Sequence, residues 1–261
     1  MAHTIYENFV LANKLADMLI TKIDLNNYLT IDTSLTEAPG MKKIIHTYRA
    51  TSGVEQLAMG EGNSKDIEVS FDSVDYEVKT FQGRFVYHDE EFMTDPMVVD
   101  TGLAGISSDL INQFTSLAIG EYGKATLEAP ATAWSFEAVV DAIAKMDLED
   151  EAGLFLLISP EDQAAFRKAL KDDLKYSEGF VRTGYIGTVC GVPVIVSKAV
   201  TAGEGYLATK EAVTVFIKKD TEIEQDRDSD KRKNFVFGRK VAVVALTDAS
   251  KVVKIKIGAQ G

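Results

Sequence analysis

Leu154-Phe155-Leu156-Leu157-Ile158-Ser159-Pro160-Glu161-Asp162 is the stretch whose reading decides the fold. Its first five side chains are all apolar, too continuous for a half-exposed strand, and predict a strand in the middle of a sheet. Ser159 followed by Pro160 predicts an immediate helix start. The serine accepts from first-turn amides, and proline lacks an amide at the one place a helix does not need it. Phe166 and Leu170 then pack that helix back onto the strand. Downstream, Gly191-Val192-Pro193-Val194-Ile195-Val196 and Gly205 to Thr209 predict two more strands. Upstream, Ser135 caps a helix whose apolar face is Phe136, Val139, Val140, Ile143 and Met146. Residues 135–209 therefore form an α/β lobe.

Beyond the lobe the periodicities change. Leu103, Ile106, Leu110, Phe114, Leu117 and Ile119 or Tyr122 recur at helical spacing opposite Ser107, Ser108, Asp109, Asn112 and Gln113, which predicts one long amphipathic helix. Met41 to Ala50 alternates as a strand. Gly60 to Ser64 is a turn, and Ile67, Val69 and Phe71 alternate with Asp66, Glu68 and Ser70. The phase then slips at Ser73-Val74, so that Val74, Tyr76 and Val78 take over, which predicts a bulge or strand break. The whole reads as a long hairpin with little of its own to bury. Isolated two-stranded pairs are marginal in water, so it wants a partner surface. Ile5 to Ile23 has helical spacing as well, and two uses are open to it: docking on a neighbouring subunit or covering its own domain. At the other end, Val213 to Ile217, Glu222 to Glu224, Asn234 to Gly238, Val241 to Leu246 and Val252 to Ile257 predict the closing strands.

Composition excludes several functions. The chain has 261 residues, 46% hydrophobic and 26% charged, enough for a substantial core. Its apolar runs are too short to cross a bilayer, and its first residues lack a secretory pattern, so it is expected in a cytoplasm. A net charge of −12 argues against general nucleic-acid binding, which needs clustered Lys and Arg. The tight cluster Lys231-Arg232-Lys233 follows the acidic stretch 222–230 and reads as a balanced, solvated loop. The single Cys190 excludes an internal disulfide and reads as a small buried hydrophobe.

No catalytic motif survives inspection. His88-Asp89-Glu90-Glu91 has ligand-type side chains, but neighbours on a strand point to alternate faces and no second His lies at helical spacing. A charged helix N-terminus is the better reading. Asp226, Asp228 and Asp230 begin like a calcium loop, yet Lys231 stands where glycine is needed and Phe237 where glutamate is. Phosphate-loop, dinucleotide, zinc-protease and serine-hydrolase motifs are absent from the sequence. No catalytic, cofactor-binding or metal residue is assigned.

The order of parts is the specific signal: N-terminal arm, charged hairpin, Gly83-Arg84-Phe85-Val86-Tyr87-His88-Asp89-Glu90-Glu91-Phe92, long helix, α/β lobe, returning strands. Over essentially the whole chain this resembles the major capsid protein of tailed phages, the Hong Kong 97 type of fold. The resemblance implies an α+β protein with an arm at 1–40 and an extended hairpin at 41–85, tipped near Gly60 to Ser64. It implies a peripheral domain at 86–134 and 210–261, with the spine helix Leu103 to Tyr122, and an axial domain at 135–209. It implies that arm and hairpin reach to identical subunits in hexamers and pentamers, and that the closed shell holds double-stranded DNA without sequence-specific contact. Scaffolding, portal and decoration proteins are further implied partners, with no cofactor and no membrane. Many members carry a cleaved N-terminal scaffolding segment. This chain is expected to start almost at the arm, with a separate scaffold or none. Removing Met1 to Asn27 is then expected to impair assembly more than folding. Two rivals follow: an encapsulin-type nanocompartment shell enclosing a cargo enzyme, and a soluble metal-dependent enzyme using His88 with Asp89, Glu90 or Glu91.

Overall fold

The computed structural model describes residues 14–15, 28–51, 53–148, 151–170 and 187–258. Apart from Lys14 and Leu15, which are helical, the predicted N-terminal helix lies outside the described residues, as does the polar segment 172–185. In order come β1 (Thr30–Asp32), β2 (Lys42–Ala50), β3 (Val69–Glu77), β4 (Lys79–His88), α1 (Asp89–Thr94), α2 (Val98–Tyr122) and β5 (Leu127–Ala131). Then follow α3 (Phe136–Met146), β6 (Leu154–Ile158), α4 (Pro160–Ala169), β7 (Thr188–Val189), β8 (Val192–Val196), β9 (Glu204–Thr209), β10 (Val213–Asp228), β11 (Lys233–Leu246) and β12 (Val252–Ile257). The described strands form three sheets, ordered β1-β10-β11-β4, β5-β12-β9-β6-β8-β7 and β2-β3.

In the six-stranded sheet β6 is buried along its whole length, parallel to β8 and antiparallel to β9. The helix starts are as the sequence predicts: Ser135 Oγ accepts from the Ala138 amide at 3.2 Å and Ser159 Oγ from the Asp162 amide at 3.1 Å. Asp162 does more than complete this turn. Its buried carboxylate accepts from the Ser159 hydroxyl at 2.7 Å and from the Gly203 amide at 3.0 Å, pinning the β8–β9 connection to α4. Asp162→Ala leaves both donors unmatched, and a loss of about 2–3 kcal/mol in denaturant unfolding of the subunit is expected.

This sheet exceeds the predicted lobe. β12 pairs with both β5 and β9, so 127–131 and 252–257 join strands inside 135–209 rather than the other sheet. Val252, Val253 and Ile255 are fully buried, and Lys254 turns its ammonium to Glu204 at 2.7 Å. Alternation says which side chains are covered, not which sheet covers them.

In the four-stranded sheet one face is packed by α2, where Leu103, Ile106 and Leu110 meet Ile223 and Val236. The helix begins at Val98, five residues before the predicted start, and its 25 residues span about 37 Å. Gly102 is required here, since a β-carbon would lie 2.5 Å from the Phe85 ring. The predicted short strands at 213–217 and 222–224 fuse into β10, and those at 234–238 and 241–246 into β11; their pairing is irregular only between Ile217 and Glu222.

Two expectations about the hairpin fail. The β2–β3 register runs without interruption from Lys42 opposite Glu77 to Ala50 opposite Val69, so no bulge sits at Ser73-Val74. The ribbon also ends at Glu77, not near residue 85. β4 leaves it to pair with β11, because Phe81 and Phe85 have the α2 core to pack against.

Candidate assembly surfaces

The unbroken register explains the slip in apolar phase. Ile44, His46 and Tyr48 share one ribbon face with Val69, Phe71, Ser73 and Asp75. Toward the tip this face is aromatic: ring centroids of His46, Tyr48 and Phe71 lie 6.1–6.2 Å apart pairwise. The other face carries Ile45, Val74 and Tyr76 near the base, then Thr47, Asp72 and Ser70 toward the tip. At the base, Ile45 and Tyr76 pack on Leu35, Val78, Phe216, Val241 and Val243 of the same chain, and Lys124 sits 5.4 Å over the Tyr76 ring. The apolar residues thus change sides halfway along. The base is apolar where its own body covers it, and the tip is apolar on the opposite side.

Nothing among the described residues covers the tip face. Tyr48 is 67% exposed and Phe71 64%. Of the 16 large hydrophobics most exposed among the described residues, ten lie between Met41 and Val74. Scattered exposed apolar residues are ordinary, but four of these ten, Ile44, Tyr48, Val69 and Phe71, share one ribbon face, and such a concentration marks an interaction surface. The tip has its own brace. The Glu55 carboxylate accepts from the Ser64 amide at 2.9 Å and the Ser64 hydroxyl at 2.8 Å, and the first of these bonds holds its carboxyl below the usual range.

The start of the chain has the opposite character where it is described. Leu15 is wholly buried among Leu103, Ile106, Leu110, Ile223 and Val236, and Lys14 meets Asp100 at 2.6 Å. The Tyr122 hydroxyl donates to the Tyr28 carbonyl at 2.9 Å, Leu29 is in the core, and β1 pairs parallel to β10. Of the two uses open to the N-terminal segment, the described residues take the second and cover their own domain.

The predicted acidic cluster opens α1, with Asp89, Glu90 and Glu91 in its first turn. Each has a structural partner. Asp89 accepts from Asn234 at 2.7 Å and pairs with Arg227 at 2.7 Å, Glu90 reaches Arg232 at 3.4 Å, and Glu91 accepts from the His88 amide at 2.9 Å. The cluster ties α1 to the β10–β11 turn. Among the described residues no three His, Cys, Asp or Glu side chains stand together as a metal site. The Asn234 hydrogen bond, with Arg227, holds the Asp89 carboxyl below its usual range. A depressed folded-state value means that its contribution to stability is present above the unfolded value of about 4 and is lost as pH falls through the folded one. Asp89→Asn is therefore expected to flatten the acid limb of the stability–pH curve below about pH 4.

The calcium-like aspartates are turn formers. Asp228 accepts from the amides of Asp230 at 3.1 Å and Lys231 at 3.3 Å. Cys190 occupies a tight turn rather than a strand. With Gly191 it adopts positive φ between β7 and β8, and burial pushes its thiol pKa up, against nucleophilic use. No described helix is long and apolar enough to cross a membrane. The residues that sequence reading left without a role are Tyr48 and Phe71, and the phase slip was their signal.

The chain matches the family described as phage capsid protein over residues 71–255. It is 24% identical over 259 residues to the major capsid protein of Staphylococcus phage phiMR11, covering 95% of this chain and 92% of that one. Among solved structures it is similar to the capsid of a native GTA particle, with a TM-score of 0.72 at 12% identity over 99% of this chain and 93% of that one. It is likewise similar to the mature capsid of bacteriophage PhiM1, with a TM-score of 0.71 at 12% identity over 100% of this chain and 90% of that one.

Proposed function

The chain belongs to the phage capsid protein family, and we propose from that premise that its subunits close through hexamers and pentamers into an icosahedral shell around double-stranded DNA. The observation that carries this reading is the ribbon, whose outer half presents His46, Tyr48 and Phe71 on a face its own subunit leaves bare. A projection of that kind gains stability only on another molecule, and identical copies supply one at fixed geometry. The body around α2 and the four-stranded sheet serves as the peripheral domain, and the lobe around β6 as the axial domain. The protein acts by assembly and has no active site. Its net charge of −12 keeps the wall from adhering to packaged DNA, so nucleic acid is held without sequence-specific contact. Scaffolding, portal and decoration proteins are the further partners of such a shell, which forms in the host bacterial cytoplasm. The nanocompartment reading gives way because the matched family and the phiMR11 relative are phage capsid proteins.

Expression of the full chain, followed by sedimentation and negative-stain microscopy, tests this. Closed shells of uniform diameter are expected. A monodisperse monomer at high concentration would overturn the proposal. Particles from the native host should contain nuclease-protected DNA, and a cargo enzyme in its place would restore the nanocompartment reading.

A further inference from the structure

The root of the ribbon is gripped through both of its strands. Lys43 on β2 and Tyr76 on β3 stand directly opposite each other, and Tyr76 packs with Ile45 on the chain's own body. Each of the pair makes a cation–π contact with that body, and the two contacts run in opposite senses. The Lys43 ammonium lies 4.4 Å from the ring centroid of Phe216 on β10, so there the ribbon supplies the cation and the body the ring. At Tyr76 the ribbon supplies the ring, and Lys124, just past the end of α2, lies 5.4 Å from its centroid. Lys124 is itself held by Glu121 at 2.6 Å. The Glu121 carboxylate also borders the Tyr76 hydroxyl, and burial together with that charge keeps the hydroxyl pKa above the usual tyrosine value.

The apolar floor of Leu35, Val78, Val241 and Val243 beneath the root has little directionality, so by itself it would let the ribbon rock. Two cation–ring contacts on different elements remove that freedom. The leverage is large. Phe71 lies five residues beyond Tyr76 along β3, about 17 Å at about 3.3 Å per residue, so a swing of about 10° at the root carries the aromatic face about 3 Å. In a closed assembly the rotation between neighbouring copies decides where the surface closes, and a contact face displaced by that much changes the rotation. We propose that the Lys43–Tyr76 pair, gripped by Phe216, Lys124 and Glu121, is the positioning element that fixes the angle at which the ribbon leaves the body, and that this angle holds the shell to a single diameter. The inference rests on the shell reading above and names the residues that set its size.

Lys43→Met with Lys124→Met tests this, because it removes both cations and leaves both rings and the apolar floor in place. The first lysine is only half-buried and the second exposed, so the variant should fold, with the melt of the dispersed subunit lowered by about 4 °C at most. Its shells are expected to fall into more than one diameter class by electron microscopy and sedimentation where the parent gives one. Lys43→Arg with Lys124→Arg, which keeps both cations, should restore the single class. Shells of the parent's one diameter from the methionine variant overturn the clamp, and so does a mixture of sizes that the arginine variant fails to correct. Should the methionine variant build no shells, nitroxides at Ser70→Cys on the ribbon and Ser108→Cys on α2, in a Cys190→Ser background, report the ribbon's position in the unassembled subunit. A distance distribution broader than the parent's supports the clamp, and an equal width overturns it. Absence of particles from the parent defeats the shell reading itself, and the nitroxide widths then decide whether the angle is fixed.

Discussion

Replacing Tyr48 and Phe71 together by glutamate is expected to leave a folded subunit that builds no shells. Neither side chain contributes to a core cluster of its own chain; their ring neighbours are each other and His46. Putting charge on a face that is already two-thirds exposed costs the free subunit little. In a contact the balance reverses. An aromatic side chain buries about 150–250 Å² when fully covered. Covering the exposed part of the two rings is worth about 5 kcal/mol at about 25 cal/mol per Å². Two carboxylates in the same place would lose that and add the cost of desolvating charge without partners. Each subunit repeats the contact around the shell, so the effect on closure compounds. Light scattering and microscopy should show capsomers or monomers, while the circular dichroism melt stays within a degree or two of the parent. Intact shells, or a melt lowered as much as assembly is, would refute the assignment of this face.

Leu15→Ala is expected to behave in the opposite way, destabilising the subunit before assembly is reached. Leu15 is fully buried, with Leu103, Ile106, Leu110, Ile223 and Val236 around it and one methyl 3.0 Å from where a β-carbon on Gly238 would lie. Truncating such a leucine costs about 2–5 kcal/mol, depending on how far the cavity collapses. Against a total of about 5–15 kcal/mol for a domain, that is a large share. The same residue corrects the expectation for removing Met1 to Asn27. Because that deletion takes Leu15 out of the core beneath α2, it should impair folding along with assembly. Denaturant unfolding of dispersed subunits, compared with particle yield, checks both variants. Equal stability of Leu15→Ala and parent would mean that Leu15 is dispensable to the core.

Local chemistry was readable from the residues. Ser135, Ser159 and Pro160 start their helices as capping physics requires, and Leu154–Ile158 is a central strand because nothing in it tolerates water. The acidic residues after His88 open a helix, and the calcium-like aspartates form a turn. The candidate surface was half legible. The hairpin's need for a partner follows from its composition, whereas the slip at Ser73-Val74 predicts a bulge or strand break that the unbroken register does not contain. Period-two alternation reports which residues are covered but not by what, so a change of covering partner and an extra residue leave the same mark.

The amino-acid sequence by itself determined the long helix, the capped helix starts, the central strand, the order of these parts and the absence of known catalytic motifs, since each rests on contacts within a few residues along the chain. The tertiary structure alone decided that β12 joins the lobe's sheet, that β4 leaves the ribbon for the body, that Leu15 belongs to its own core, and which ribbon face stays bare. Those outcomes depend on surfaces brought together from tens to some two hundred residues apart, where every apolar strand has several acceptable partners and only simultaneous packing selects among them.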